Sequence, residues 1–171
     1  DPDSILFDLA YGGGALLDVG VYPLALASMV LGEPTAIASL AELGPTGVDE
    51  QCSAALQYAS GAQALVHAAF TVETAQEALI TGTRGHLRLP SPWWRPSRLV
   101  RTDPEGGVLE DLTFPIAGNG YGYEVTEVTR CLDQGLLESP LIPWSESLSI
   151  LRTMDRMRAQ WGLVYPADAT G

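Results

Sequence analysis

Asp18 and Tyr22 stand four residues apart in GGGALLDVGVYPLALASMVLG, residues 12–32, where Asp18 is the single formal charge. At i and i+4 of a helix they share one face, continued by Ala25 and Met29. A carboxylate in so apolar a stretch must be hydrogen-bonded, neutralised or open to a cleft. Two readings follow. In the first, Asp18 is buried and ties down a backbone amide while Tyr22 is ordinary core. In the second, the two are an acid/base pair. A phenol with an ordinary pKa of about 10, drawn toward neutrality by nearby positive charge, can exchange the proton of a substrate oxygen. Asp18 then orients the substrate or the phenol. That positive charge is not a lysine of this chain: all nine basic residues are arginines, from Arg84 to Arg158.

Other candidates carry weaker signals. Trp93 and Trp94, beside Arg95 in PWWRP, are suited to wall a substrate pocket or to pack under a loop. Tyr121 and Tyr123 follow AGNG at the start of a helical stretch, placed to line a cleft or to cap a sheet. His86 and His67 read as surface or core histidines. No serine or cysteine lies in a nucleophile motif, and no second acid is placed near Asp18 to make a hydrolytic pair. The glycine triplet Gly12–Gly14 is not G-x-G-x-x-G, follows no strand pattern and has no acidic ribose ligand on a following strand. It is rejected as a nucleotide loop.

These residues must be positioned by a real core, which 171 residues at 46% hydrophobic and 18% charged can supply. The net charge of −12 argues against a nucleic-acid partner and against adhesion to anionic membranes. Cys52, Cys131, His67 and His86 have no metal-ligand spacing, so no metal is expected, and a reducing cytoplasm is the expected compartment. No signal peptide is recognised at the start, and a chain beginning at Asp1 reads as a fragment or a processed product. The apolar run Ala15–Leu31 is at the short edge of a membrane span, but Asp18, Gly20 and Pro23 within it favour a buried core helix.

Residues 12–31 are predicted helical, stopped by Gly32 and Pro34 and kinked at Pro23, which cannot donate to the Val19 carbonyl. Then the period changes to two. Cys52, Ala54, Leu56 and Tyr58 share a face, as do Ala64, Val66, Ala68 and Phe70 after the ASG turn, which predicts a hairpin. PTAIASLAE, QEALITGT, HLRLP, RLVRT and VLEDLTF read as further strands, split by TRG, SPWWRP and DPEGG. Two helices close the chain. One places Val125, Val128 and Leu132 on one face and stops at Gly135. The other places Leu148, Leu151, Met154, Met157 and Trp161 on a stripe, with Ser145 as cap and Gly162 as stop. The expected fold class is α+β: an open, mainly antiparallel β-sheet with helices packed on one face. No βαβ alternation appears, so no complete Rossmann fold is encoded.

GGGALLDVGVYPLALASMVLGEP resembles the opening of the C-terminal domain of the glucose–fructose oxidoreductase/inositol dehydrogenase family, written Gfo/Idh/MocA. GYGYEVTEVTRCLDQGLLESPLIPWSESLSILRTMDRMRAQWGLVYP is similar to that domain's last two helices. The similarity is strongest to the dimeric dihydrodiol dehydrogenase branch, and the middle strands match in pattern more than in residues. The resemblance implies that 1–171 is a single substrate-binding and oligomerisation domain. Its N-terminal Rossmann domain, absent here, binds NAD or NADP and supplies a catalytic lysine. By position, Asp18 and Tyr22 are then the family's aspartate and acid/base residue, and tyrosine in place of histidine points to the glucose–fructose oxidoreductase-like and dihydrodiol-like branches. The implied reaction is hydride transfer between nicotinamide and a secondary alcohol of a sugar, polyol or cyclic diol. The implied partners are a small-molecule substrate, the Rossmann domain and a second copy through the sheet, with no nucleic acid or membrane. The competing expectation is a non-catalytic dimerisation or ligand-binding module.

Overall fold

A computed structural model describes residues 4–170. In chain order the elements are 3₁₀ turns at Ile5–Phe7 and Leu9–Tyr11, a π-helical turn at Leu16–Gly20 and α1 (Val21–Leu31). Then come β1 (Ala36–Leu43), β2 (Asp49–Gln57), β3 (Gln63–Ala69), β4 (Ala78–Gly82), β5 (Gly85–Leu89), β6 (Arg98–Thr102) and β7 (Val108–Thr113). Helices α2 (Gly122–Asp133) and α3 (Trp144–Trp161) follow, with a last 3₁₀ turn at Pro166–Thr170. The fold is α+β, and every strand pair is antiparallel. The seven strands are shared between two sheets, ordered β1-β2-β3 and β4-β5-β6-β7. They belong to two compact units, one running to Thr74 and resuming at Ile142, the other Ala75–Leu141.

In the first unit the period-two pattern sets the core. Cys52, Ala54 and Leu56 of β2 and Ala68 of β3 point inward and are buried, and the inward phase continues to Tyr58. The opposite phase is open: Leu40 is 80% exposed and Leu65 85%. The π turn, α1 and α3 cover the inner face, burying Leu16, Leu24, Ala27, Ile150, Met154 and Met157. Each of these Leu, Ile and Met side chains contributes about 1.5–3 kcal/mol. Polar bonds lock α3 to β1. Gln160 Oε1 accepts the Ser39 N–H at 2.8 Å while its amide donates to Ile37 O at 3.1 Å, and Arg156 donates to the carbonyls of Pro34 and Thr35. The stretch Leu9–Leu31, mean hydropathy 1.7, is long and apolar enough to cross a membrane by length and composition. Here it packs against β3 and α3.

Three local expectations are corrected. Pro143, not Ser145, stands at the N-cap of α3, with φ −71 and ψ 161 and no side-chain cap bond. The proline fixes the extended entry, so the helix starts one residue before the serine. The buried stripe of α3 is Ile150, Thr153, Met154 and Met157, while Leu148 and Leu151 are about half exposed: the helix is rotated toward the Ile150 side. The irregularity expected at Pro23 lies one turn earlier, in the wide turn Leu16–Gly20. Pro23 is the third residue of α1, within the first turn, where a missing N–H is tolerated.

In the second unit the β4–β5 turn needs its glycine. Gly85 has φ +127, and a Cβ there would meet Thr102 O at 2.0 Å. Arg98 holds Asp111 by two bonds at 2.7 and 2.6 Å, and Arg88 holds Glu77 at 2.5 Å. All four groups are largely exposed, so these pairs add little stability. On α2 the stripe Val125, Val128 and Leu132 is 65%, 59% and 71% exposed.

Candidate active site

The helix carrying Asp18 and Tyr22 is set by the glycine triplet before it. Gly12 sits in the left-handed region (φ +71) and closes the Leu9–Tyr11 turn. The chain then folds back, Gly14 N–H donating to Leu6 O at 2.9 Å, and a Cβ on Gly13 would stand 2.6 Å from that oxygen. Gly14 has φ +123, and a Cβ there would lie 2.2 Å from Asp49 Oδ1. Farther along, a Cβ on Gly20 would come 3.4 Å from the Ala68 methyl, so the wide turn lies close on β3. The glycines serve close packing, as the rejection of a nucleotide loop requires.

Asp18 lies inside the π turn and is exposed, and Tyr22, one turn on, is 53% exposed. Neither side chain makes a hydrogen bond or ion pair among the described residues. Met29, on the continuation of their face, is 75% exposed. The reading of Asp18 as a buried tether and Tyr22 as core therefore does not describe this chain. An exposed carboxylate and phenol on one helix end are free to meet a substrate hydroxyl, and π turns of this kind recur at functional sites.

A buried aspartate tying down a backbone amide does exist, but it is Asp49. It is fully buried at the start of β2, and its Oδ2 accepts the Leu16 N–H at 2.7 Å. Burial raises its carboxyl pKa, opposed by that hydrogen bond. Burial, and then the charge of Asp49, push the Cys52 thiol up to about 12. Tyr165 Oη donates to Gly13 O at 2.8 Å, and burial followed by Asp49 raises that phenol to about 12. The sequence pattern gave no sign of Asp49. Alternation back from Cys52 points Glu50 inward, but the register shift at Glu42/Leu43 pairs Asp49 with Leu43 and takes it inside.

The remaining candidates lie in the second unit. Trp93 and Trp94 meet edge to face, centroids 6.4 Å apart, with Trp94 49% exposed. Trp93 N–H donates to Gln76 O at 3.1 Å. Tyr121 and Tyr123 are 64% and 60% exposed at the start of α2, and Tyr123 Oη reaches Pro115 O at 3.5 Å. A Cβ on Gly120 would meet Arg95 Cδ at 3.7 Å, so the tryptophan segment and the AGNG turn are neighbours. His67 bonds the Oγ of its cross-strand partner Ser53 at 2.9 Å, and His86 that of Thr81 at 3.1 Å. Among the described residues no three His, Cys, Asp or Glu side chains converge as a metal site.

Nor does the triplet fit the pyrophosphate of a dinucleotide. The amide that would face an anion at this helix start is already taken by Asp49, and the space over Gly13 and Gly14 is filled by the Leu6 carbonyl and the Asp49 carboxylate.

The fold recurs in solved chains about twice as long. The aldose-aldose oxidoreductase of Caulobacter crescentus, complexed with glycerol, superposes with a TM-score of 0.77 at 21% identity, over 93% of this chain and 49% of that one. The 3-ketoreductase KijD10 of Actinomadura kijaniata, with NADP and TDP-benzene, gives 0.78 at 21% identity, over 93% and 50%. The sequence profile of the GFO/IDH/MocA C-terminal domain matches residues 1–88, and the chain belongs to that family. Trans-1,2-dihydrobenzene-1,2-diol dehydrogenase from Homo sapiens is 35% identical over 168 residues, covering 94% of this chain and 50% of that protein. The Xenopus tropicalis enzyme of the same name is 35% identical over 161 residues, covering 91% and 49%. The chain thus spans about half the length of the curated relatives it matches.

Proposed function

We propose that this chain is the substrate-binding and oligomerisation domain of an NAD(P)-dependent oxidoreductase acting on a secondary alcohol or carbonyl of a sugar, polyol or cyclic diol. The observation that carries the reading is the Asp18–Tyr22 pair. The two stand exposed on a helix whose opposite face is packed into the core, in a family whose curated relatives are named dihydrodiol dehydrogenases. The nicotinamide, bound by the rest of the full-length protein, supplies the hydride chemistry. The residues of this chain handle the proton. In the oxidative direction Tyr22 Oη accepts the proton of the substrate hydroxyl as it becomes a carbonyl oxygen, and in the reductive direction it returns it. Asp18 accepts a hydrogen bond from the substrate or the phenol and fixes its orientation. By the family resemblance the cation beside the phenol is a lysine of the rest of the full-length protein, and this chain itself contains none. The open outer face around Leu40 and Leu65 is the surface for a second copy.

The test is Tyr22→Phe in the full-length enzyme. Because Tyr22 is half exposed and unbonded, unfolding should be nearly unchanged while kcat falls by roughly 10²–10⁴. Normal turnover would remove Tyr22 from the mechanism, and absence of turnover in the unsubstituted full-length protein would favour a non-catalytic binding or assembly module.

A further inference from the structure

We infer that Asp49 is a positioning residue for this reaction: its buried carboxylate fixes the start of the Ala15–Leu31 helix and thereby aims Asp18 and Tyr22. The inference rests on the reading that this pair is the site. The helix has no cap of its own, since Ala15 precedes the wide turn and makes no side-chain bond. The acceptor for its first amide comes instead from 33 residues away, Asp49 Oδ2 on Leu16 N–H. Leu16 is the first residue of the turn that holds Asp18, so the bonded amide is also where the irregular winding begins. Gly14 has no Cβ in the place that Asp49 Oδ1 fills, and beside it the Tyr165 hydroxyl donates to the Gly13 carbonyl. Tyr165 is itself held under Arg158, 5.5 Å above its ring. A strand and the C-terminal segment therefore meet at Gly13 and Gly14.

The clamp carries a cost. Asp49 Oδ1 is buried without a partner at hydrogen-bond geometry, and the donor that its carboxylate does have nearby is the weak one of the Cys52 thiol. A buried carboxylate so weakly paired at one oxygen is unfavourable where only stability counts, and groups held at such cost cluster at functional sites. Without the Asp49 acceptor the wide turn is free to rewind as an α turn, which rotates Asp18 about the helix axis relative to Tyr22.

The test uses the full-length enzyme with NADP+ and trans-1,2-dihydrobenzene-1,2-diol as probes, turnover being expressed per nucleotide-binding site so that unfolded material does not count. Asp49→Ala is expected to lower kcat by about 10- to 100-fold and to speed hydrogen exchange at the Leu16 amide, with the KM for NADP+ within about twofold. Asp49→Asn, which keeps an oxygen acceptor, is expected to hold kcat within about threefold of wild type. If the alanine variant does not fold, Asp49→Glu, which keeps the charge but displaces it, must show the kcat loss. Wild-type kcat per site in Asp49→Ala, or in Asp49→Glu where alanine does not fold, overturns the positioning role when Tyr22→Phe measured beside it is impaired. If Tyr22→Phe turns over normally, the site reading and this inference fall together.

Discussion

At the scale of single residues, two aspartates divide the work that the sequence leaves open for one. Asp18, the lone charge of an apolar stretch, is exposed, and Asp49, one of two acids opening a strand, is buried against the helix start. Gly14 links them, because its φ of +123 and the Asp49 oxygen beside it exclude a side chain. Gly14→Ala is therefore expected to cost roughly 2–4 kcal/mol, from backbone strain and a disturbed buried hydrogen bond. A melting temperature within about 1 °C of wild type would show that the carboxylate yields freely and is no clamp. That Asp18 and Tyr22 share one helix end was legible from spacing because helix periodicity is local. The role of Asp49 was not, because it depends on a register shift between strands.

At the scale of elements, the strands were legible where inner and outer residues differ in kind, as in Cys52, Ala54 and Leu56 against Ser53 and Gln57. RLVRT is β6 residue for residue. The rotation of α3 was less legible: Leu148 and Leu151 are as apolar as Ile150, and only contact with β1 and α1 selects the buried side. Pro143 displaced the expected Ser145 cap through backbone geometry that residue propensity for capping does not express. On α2 the chain's ionic chemistry is local. Arg130 holds Glu127 at 2.7 Å and Ser139 Oγ donates to it at 2.5 Å, and these bonds, Arg130 first, push the carboxyl down to about 2. A carboxyl lowered on folding from 4.5 to about 2 adds stability that is complete above pH 4.5 and is lost as pH falls through about 2. Melting curves of wild type and Glu127→Gln should accordingly differ at pH 7 and converge as pH drops from 4.5 toward 2. A gap that stays constant over that range would mean that Glu127 titrates as an ordinary surface acid.

At the scale of the whole molecule, the division of seven strands into two sheets could not be read from their order, since short turns join strands within a sheet and between sheets alike. The family could be read, because its motif lies in one continuous stretch, residues 12–34. The central claim is that this chain is the substrate side of an enzyme whose nucleotide site lies elsewhere in the full-length protein. It has no lysine, its glycine loop is filled by its own Asp49 carboxylate, and it spans half of its dehydrogenase relatives. The most direct measurement is a calorimetric titration of NAD+ and NADP+ into residues 1–171 and, separately, into the full-length protein. The account predicts binding of at least one nucleotide by the full-length protein and none by residues 1–171. Binding to residues 1–171, or to neither protein, would contradict it.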